Sequence, residues 1–283
     1  MRYTYYPGCT LYSKAKNLDR CGREAMAVLG VELTEMPSWN CCGAIYNTSS
    51  DDLAAQVGPV RNLAKASQLG EKLITLCAAC HNVLKRAQER FFAPGNEIEQ
   101  RRLKDFVDEP FERPVTVLHY LEVLKDEIGW EAIKERVKKP LSFPVASYYG
   151  CLMVRPKGVL KFDDPENPQV MDELITALGG QPVRFDFKTE CCGGYLVVNR
   201  REVAKTCSMR IIENARTWGA SAIATTCPLC QYNLEIAQVG GEFMPIFYFT
   251  QLLGLALGIA EKDLGFEDNK LNPVPFLKEK GLI

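Results

Sequence analysis

Ten of the twelve cysteines in this 283-residue chain form two sets with the same order and similar spacing. Each set has a single cysteine, an adjacent pair followed by glycine, and a final pair separated by two residues. The ten are Cys9, Cys41, Cys42, Cys77, Cys80, Cys151, Cys191, Cys192, Cys227 and Cys230. The two thiolates of a CxxC pair lie within reach of one metal site, which is common in zinc and iron–sulfur proteins. The spacing predicts a metal site in each half, although CxxC alone is also compatible with a thioredoxin-like redox pair.

The two sets are copies of one repeated unit. The four cysteines of the CC and CxxC pairs recur at a constant offset of 150 residues, and Cys9 recurs as Cys151 at an offset of 142. The surrounding sequence repeats as well, for example TYYPGC at 4–9 and SYYGC at 147–151. A constant offset at four positions indicates an internal duplication, so one explanation has to cover both halves.

The adjacent cysteines are poorly suited to hold one small ion, because neighbouring side chains on an extended chain point to opposite sides. Five thiolates per half also exceed the four that a structural zinc or a conventional [4Fe–4S] cubane takes. Each half therefore has four ligands and one spare, or a larger or opened cluster in which neighbouring cysteines bind different irons. Gly43, Gly193 and Gly194 allow the backbone to approach such a cluster closely. The residues alone leave these geometries open, together with zinc in one half.

The elements that position the cysteines are strands and helices in alternation. Short apolar or aromatic runs predict buried strands at 4–9, 147–151, 31–36, 182–187, 73–80, 222–230, 115–124 and 245–255. Helical patterns lie at 11–29, 51–69, 200–218 and 228–238, the second with Ser50 and Asp51 as candidate caps. This alternation predicts an α/β fold with two pseudo-symmetric repeats, each a small, mainly parallel sheet flanked by helices. Because the cysteines follow strands, metal sites are expected at the carboxyl ends of the strands.

The duplication predicts two domains, 1–140 and 141–283, joined by a linker around residues 135–144. The first domain carries an additional segment at 91–114, which is polar, charged and contains three prolines. We interpret this segment as a surface insertion, which is either a partner-docking arm or a solvated loop with a short helix.

Composition and charge exclude several classes of protein. The chain is 47% hydrophobic and 24% charged, an ordinary globular balance. A net charge of −1 gives no general electrostatic basis for binding nucleic acid or an anionic membrane. The N-terminal sequence MRYTYYPGC lacks the apolar core of a signal peptide, which predicts a cytoplasmic protein. Residues 243–260 lack a charge over 18 residues, but Pro245 and the charged counterpart 115–130 favour a core strand and helix over a membrane span.

Two histidines are candidate proton donors. His81 directly follows Cys80 and has Gln231 as its counterpart, and His119 follows a predicted strand and has Tyr248 as its counterpart. Both are expected near the carboxyl edge of the sheet, where they could protonate a leaving thiolate. A structural hydrogen bond is the competing explanation for each of them.

Other cysteines and cations near the repeats have weaker signals. Cys21 and Cys207 have no cysteine at the matching position of the other repeat, so both are expected to be small, buried core residues. Cations that could steer an anionic substrate follow the first cysteine of each set, with a solvated basic face as the alternative. They are Lys14, Lys16, Arg155 and Lys157.

The order C…CCG…CxxC resembles the cysteine-rich CCG domain, and two complete copies in a chain of this length resemble the B subunit of heterodisulfide reductase. The resemblance covers nearly the whole chain, and YYPGCT and WNCCGA are more similar to bacterial relatives. It implies that each half holds a noncubane [4Fe–4S] cluster with all five of its cysteines. It also implies that a disulfide, such as coenzyme M–coenzyme B, is reduced to two thiols between the clusters. The duplication matches this chemistry, since each cluster can supply one electron and hold one sulfur.

The resemblance further implies partner proteins, because no ferredoxin-type CxxCxxC run is present in this chain. These partners are the ferredoxin-like C subunit and the flavin-containing A subunit of the reductase complex. Two alternatives remain at this point. One is a CCG-domain electron-relay subunit of a 2-hydroxy acid or glycerol-3-phosphate oxidation system, and the other is a zinc-stapled scaffold, against which five rather than four cysteines per copy count.

Overall fold

The structure is a computed structural model that describes residues 1–44, 52–240 and 243–283. Ser50 and Asp51, the candidate caps of a helix at 51–69, lie outside the described residues.

Two four-stranded sheets form the framework, and every strand pair in them is parallel. The first sheet has the order β2-β1-β3-β4, and its strands are β1 (Arg2–Tyr5), β2 (Glu32–Glu35), β3 (Lys72–Thr75) and β4 (Thr116–His119). The second has the order β6-β5-β7-β8, and its strands are β5 (Pro144–Tyr148), β6 (Gln181–Pro182), β7 (Ala222–Thr225) and β8 (Ile246–Tyr248). The predicted two-repeat α/β fold is therefore confirmed. The division of the chain at residue 140 stays a prediction.

Helices cover the sheets and connect the strands. In the first half they are α1 (Gly8–Ser13), α2 (Lys16–Val28), α3 (Ala54–Leu69), α4 (Ala78–Phe91), α5 (Glu97–Val107), α6 (Tyr120–Glu122), which continues as a π-helix (Val123–Ile128), and α7 (Trp130–Lys134). In the second half they are α8 (Lys157–Leu160), α9 (Val170–Ala177), α10 (Leu196–Asn199), α11 (Arg201–Thr217), α12 (Pro228–Ala237), α13 (Phe249–Ala256) and α14 (Val274–Glu279), with 3-10 turns at Glu261–Asp263 and Phe266–Asp268.

Several predicted elements differ in extent from those observed. The helix expected at 11–29 is broken between α1 and α2, where Ala15 leaves the helical conformation. The strand expected at 182–187 is reduced to β6, an edge strand in which Pro182 has no N–H to donate.

The uncharged stretch 243–260 forms β8 and α13, as expected for a core strand and helix. All residues of α13 are buried. Over the described ranges, no helix combines the length and apolarity that a membrane crossing requires.

The 91–114 insertion is a helix packed on the first half rather than a free loop. Its helix α5 contacts α3, and the guanidinium of Arg61 donates to the Phe106 carbonyl at 2.8 Å. Leu103, Val107 and Phe111 are buried beneath it. The outward residues of α5 remain exposed, so this segment is both a packed element and a solvated surface.

The two halves pack through α2 and through the helices that follow their fourth strands. Helix α13 of the second half lies against α2 of the first, and the Thr250 hydroxyl donates to the Leu18 carbonyl at 3.3 Å. The rings of Tyr120 and Phe249 lie 5.6 Å apart. These large, fully buried side chains join the cores of the halves into one cluster of buried residues.

A polar contact closes one side of the boundary between the halves. The Asn82 amide on α4 donates to the carbonyls of Leu152 at 2.8 Å and Arg155 at 2.6 Å. One turn further along α4, the Lys85 ammonium donates to the Leu160 carbonyl at 2.8 Å. The segment after Cys151 is therefore bound directly to the helix that carries Cys80.

Replacing Asn82 by alanine should lower the free energy of unfolding by roughly 1–3 kcal/mol, because two partly buried carbonyls lose the donor that a buried side chain supplies. Urea unfolding measures this difference. The exposed Asn199 is the matched control, and its alanine variant should unfold like the parent chain. Equal stability of the Asn82 variant and the parent would show that the contact does not hold the halves together.

Candidate metal centres and the cavity between them

The first set of cysteines gathers at the carboxyl ends of the strands in the first sheet. Cys9 lies in α1 after β1, the pair Cys41 and Cys42 lies in the loop after β2, and Cys77 caps α4 directly after β3. Cys80 lies one turn into α4. Since parallel strands end at the same edge of a sheet, residues distant in sequence meet there.

Sulfur atoms of this set lie close together. The Cys9 and Cys41 sulfurs are 3.5 Å apart, and those of Cys42 and Cys80 are 3.4 Å apart. Cys9 and Cys41 are exposed, whereas Cys42, Cys77 and Cys80 are buried. All five thiols are free, so the expected set of donors is brought together at one site.

The second set repeats this arrangement at the second sheet. The Cys192 and Cys230 sulfurs are 3.6 Å apart, and the Cys151 thiol is hydrogen-bonded to Cys191. Cys227 caps α12 as Cys77 caps α4. The ten cysteines predicted from spacing thus form two groups of five, and their role as metal ligands stays a prediction.

A tyrosine in each half fixes the loop that carries the cysteine pair. The Tyr6 hydroxyl donates to the Asn40 carbonyl at 2.7 Å, and the Tyr148 hydroxyl donates to the Glu190 carbonyl at 2.7 Å. Each acceptor directly precedes the CC pair of its own half. The repeated YYPGC and YYGC sequences carried this signal, but its function as an anchor is visible only in the structure.

Glycines leave room for the sulfur atoms. Gly8 and Gly150 precede the first cysteine of each set and have positive φ values of 75° and 66°. A Cβ at Gly8 would lie 2.9 Å from the Cys80 sulfur, and a Cβ at Gly150 would lie 3.0 Å from the Cys230 sulfur. Gly193 is constrained differently, since a Cβ there would lie 2.5 Å from the Cα of Ala204.

Local donors stabilise the thiolate form of selected cysteines. The thiol of Cys42 and the N–H of Gly43 hold the pKa of Cys41 to about 5. The Cys151 thiol and the Gly193 N–H hold the pKa of Cys191 to about 6. A thiolate is the form of cysteine that binds metals, so one member of each CC pair is prepared as a ligand.

The donor set fits an iron–sulfur cluster in each half. Five sulfurs are gathered at each site, and glycines leave space beside them. Helix N-termini and glycine N–H groups stabilise the negative charge of the thiolates. Among the described residues, no three His, Cys, Asp or Glu side chains are arranged as ligands of a single metal ion.

A cavity of about 1030 Å³ lies between the two groups of cysteines. All five cysteines of the first set line it, and Cys227 of the second set lines it from the other side. Small and apolar residues such as Ala79, Leu152 and Leu229 form part of its wall. A substrate in this cavity would contact sulfur-bearing residues of both halves.

Two tyrosines lie between the cysteine groups and line the cavity. Burial raises the pKa of Tyr195, and thiolates of Cys227 and Cys77, one from each half, raise it further. Burial likewise raises the pKa of Tyr248, together with charge on the same two cysteines and on Glu235. In the sequence, Tyr248 stood out only as the counterpart of His119, and Tyr195 was missed.

The two candidate histidines do not line this cavity. His81 and His119 are fully buried with rings 5.6 Å apart, and the nitrogen Nε2 of His81 lies 3.1 Å from a Glu122 carboxylate oxygen. The His119 ring contacts the Leu76 carbonyl at 3.0 Å. Burial lowers the pKa of His119 to about 3, so this side chain is neutral near pH 7. Their proposed role as proton donors stays a prediction.

The two remaining cysteines and the four candidate cations do not gather at one site. Cys21 is buried and its thiol donates to the Leu264 carbonyl at 3.0 Å, as expected of a core cysteine. Cys207 is only half-buried on α11. Of the four cations, Lys14 alone lines the cavity. Arg155 donates to the Thr189 carbonyl and to Glu166, both at 3.0 Å.

Comparisons with known proteins match the cysteine pattern. The profile of the family described as "CCG: Cysteine-rich domain" matches residues 3–85 and 145–235. The chain is 36% identical to the 8-methylmenaquinol:fumarate reductase membrane anchor subunit of Wolinella succinogenes, over 95% of this chain and 97% of that protein. It is 26% identical to the B subunit of the ferredoxin:CoB-CoM heterodisulfide reductase of Methanosarcina mazei, over 98% of this chain and 96% of that protein. The resemblance to the heterodisulfide reductase B subunit is confirmed, whereas the fumarate reductase relative was not anticipated.

A solved structure of a hypothetical protein from Helicobacter pylori superposes with a TM-score of 0.73 at 14% identity. The match covers 95% of this chain and 52% of that chain, so this chain spans about half the length of its structural neighbour. It supports the fold alone.

Gly8→Ala should destabilise the chain more than Gly30→Ala. Both residues have a positive φ near 75–79°, which costs a non-glycine residue about 1–2 kcal/mol. Only the first Cβ would also collide with the Cys80 sulfur, whereas no described atom lies within 4 Å of the second. Urea unfolding of both variants checks the difference. Equal losses would show that the space beside the sulfur is not constrained.

Proposed function

Because the chain belongs to the family defined by the CCG cysteine-rich domain, which it carries twice, we propose that it is the iron–sulfur subunit of a reductase complex that reduces a disulfide to two thiols. The observation that carries this proposal is the cavity lined by cysteines of both halves. A disulfide has two sulfur atoms that must each receive one electron, and the cavity is lined by all five cysteines of the first set and by Cys227 of the second.

The ten cysteines are the proposed ligands of two [4Fe–4S] clusters of noncubane form, five in each half. When bound, each cluster would supply one electron to the substrate. The chain itself contributes the rest of the site. Glycine N–H groups and the N-termini of α4 and α12 stabilise the thiolates, while the walls of the cavity hold the disulfide between the halves.

The overall reaction needs two electrons and two protons for each disulfide. The S–S bond breaks, both sulfurs become thiolates, and each thiolate then takes up one proton. Electrons have to enter from another protein, and the proposed source is a ferredoxin-like C subunit that receives them from a flavin-containing A subunit. A reducing compartment such as the cytoplasm would keep the twelve free cysteines as thiols.

A second candidate function is electron transfer from a quinol. It is favoured by the 36% identity to a subunit of an 8-methylmenaquinol:fumarate reductase. In this case the same cavity would hold a quinol that gives up two electrons and two protons, and the clusters would pass the electrons to a partner. Neither of the two named relatives points to 2-hydroxy acid or glycerol-3-phosphate oxidation, which leaves that alternative without comparable support.

Metal analysis of protein purified without oxygen tests the cofactor. We expect about eight irons and about eight acid-labile sulfides per chain, as two clusters of four require. One zinc with about four irons would leave a single redox site and contradict the two-electron reaction. Zinc alone would identify a scaffold.

Serine variants test the ligand assignment. Cys42→Ser and Cys192→Ser should each lose about half of the iron, because each removes a thiolate from one cluster. Cys21→Ser is the matched control, since Cys21 is also buried but bonded to a backbone carbonyl, and it should keep the full iron content. Unchanged iron in both ligand variants would contradict the assignment.

An anaerobic assay separates the two candidate functions. With a reduced viologen dye as electron donor, the protein should convert small-molecule disulfides to thiols, which is measured by thiol titration. A soluble short-chain quinol offered with an oxidised dye should not be consumed. Quinol oxidation without thiol release would favour the second candidate.

A further inference from the structure

The duplication creates two pseudo-equivalent boundaries between the halves, and they differ. In one, the Asn82 amide of α4 donates to two carbonyls of the segment after Cys151 and joins the halves directly. At the pseudo-equivalent position of α12, an offset of 150 places Tyr232 where the first half has Asn82. Tyr232 is 42% exposed and lines the cavity. One boundary is therefore closed and the other is open.

The same offset places a carboxylate on the open side where the closed side has an ammonium. Lys85 of α4 corresponds to Glu235 of α12. Lys85 is neutralised by Glu122 at 3.3 Å and also donates to the Leu160 carbonyl. Glu235 has no such ion pair among the described residues, although it is only 2% exposed and lines the cavity.

The two carboxylate oxygens of Glu235 have different environments. Its Oε2 accepts the backbone N–H of Lys270 at 3.1 Å. Its Oε1 is buried and forms no well-aligned hydrogen bond in the described part of the chain, while the Asn269 side chain and the Leu271 N–H lie close to the carboxyl. A buried oxygen without a full set of partners is costly and rare in folded proteins. Because Glu235 lines the cavity, this incompletely bonded carboxyl lies beside the space that a ligand would occupy.

The wall around Glu235 is fixed by the C-terminal segment. The Asn269 amide donates to the Ile246 carbonyl at 3.0 Å, and its oxygen accepts from Gln251 at 2.9 Å and from Asn17 at 3.1 Å. These bonds join both halves and hold the neighbouring Lys270 against Glu235. The groups that face the carboxyl in the cavity are consequently in fixed positions.

We infer that Glu235 is the acid–base residue of the cavity and gives a proton to one of the two sulfurs released there. This inference rests on the proposed disulfide reduction. After two electrons have entered and the S–S bond has broken, the Glu235 carboxylic acid transfers its proton to one thiolate and becomes a carboxylate. Water in the open cavity protonates the second thiolate and later returns a proton to Glu235.

The electrostatic surroundings support this role. The titratable and charged groups that line the cavity together with Glu235 and the cysteines are Lys14, Tyr195, Tyr232, Tyr248, Asp268 and Lys270. Burial raises the pKa of Glu235 to about 7. The carboxyl is therefore protonated and able to donate below about pH 7, and it loses its proton as the pH rises above this value. Its ability to donate a proton therefore falls as the pH rises above about 7.

The test compares pH profiles of disulfide reduction by the metal-loaded protein and its Glu235→Gln variant. Removal of a general acid should lower kcat by on the order of 10²-fold with little change in KM. The decline in rate above about pH 7 should also vanish. Glu235→Asp keeps a carboxyl, so this variant should retain part of the rate and should again become slower as the pH rises. Glu213→Gln, at an exposed position of α11, should match the parent.

A second readout does not depend on activity. Infrared difference spectra between pH 6 and pH 8 should contain the loss of a protonated carboxyl band in the parent, and this band should be absent in Glu235→Gln. Its presence in the variant, or its absence in the parent, overturns the inference. An unchanged pH profile in Glu235→Gln also overturns the inference. So does a His81→Gln variant in which the decline in rate above about pH 7 disappears. If the parent shows the band but reduces no disulfide, the proposed function fails and the proton transfer to sulfur fails with it, and only the titration of the Glu235 carboxyl stands.

Discussion

Sulfur atoms crowded at the carboxyl ends of two parallel sheets are the constraint on which the rest of this structure depends. Pairs of them lie 3.4–3.6 Å apart, where like charges repel strongly unless they are compensated. Compensation comes from neighbouring thiols that donate hydrogen bonds, and from the backbone through glycine N–H groups and the N-termini of α4 and α12. A parallel sheet is well suited to this task, because it delivers several loops and helix N-termini to the same edge.

Duplication explains the number of sites but not how they differ. Tyrosine anchors and glycines beside the sulfurs occur in both halves because both halves gather five cysteines. Beyond the cysteines, tyrosines and glycines of each site, the two halves differ. One boundary is filled by the contact of Asn82 with the segment after Cys151, and the other remains a cavity of about 1030 Å³. A duplicated fold thus provides two similar centres and one asymmetric space between them.

Buried polar groups differ between the two sides of the boundary. On the closed side, His81, Lys85 and the backbone N–H of His119 all contact the carboxylate of Glu122. On the open side, Glu235 and Tyr248 face the cavity, and Asn269 holds the C-terminal segment against them. Glu235 is thus a buried carboxyl beside the space that a substrate can enter.

The sequence by itself determined the duplication, the ten cysteines and the α/β class, because ligand spacing and strand–helix alternation are local properties. It also indicated that 243–260 is a core strand and helix, since its charged counterpart could not span a membrane. Only the tertiary structure decided which boundary is open and which residues line it. Tyr195, Glu235 and Lys270 reach the cavity through contacts between distant segments, such as Asn82 with Leu152 and Lys270 with Glu235. Contacts of this kind have no periodicity along the chain, and for this reason the sequence drew attention to two histidines on the closed side instead.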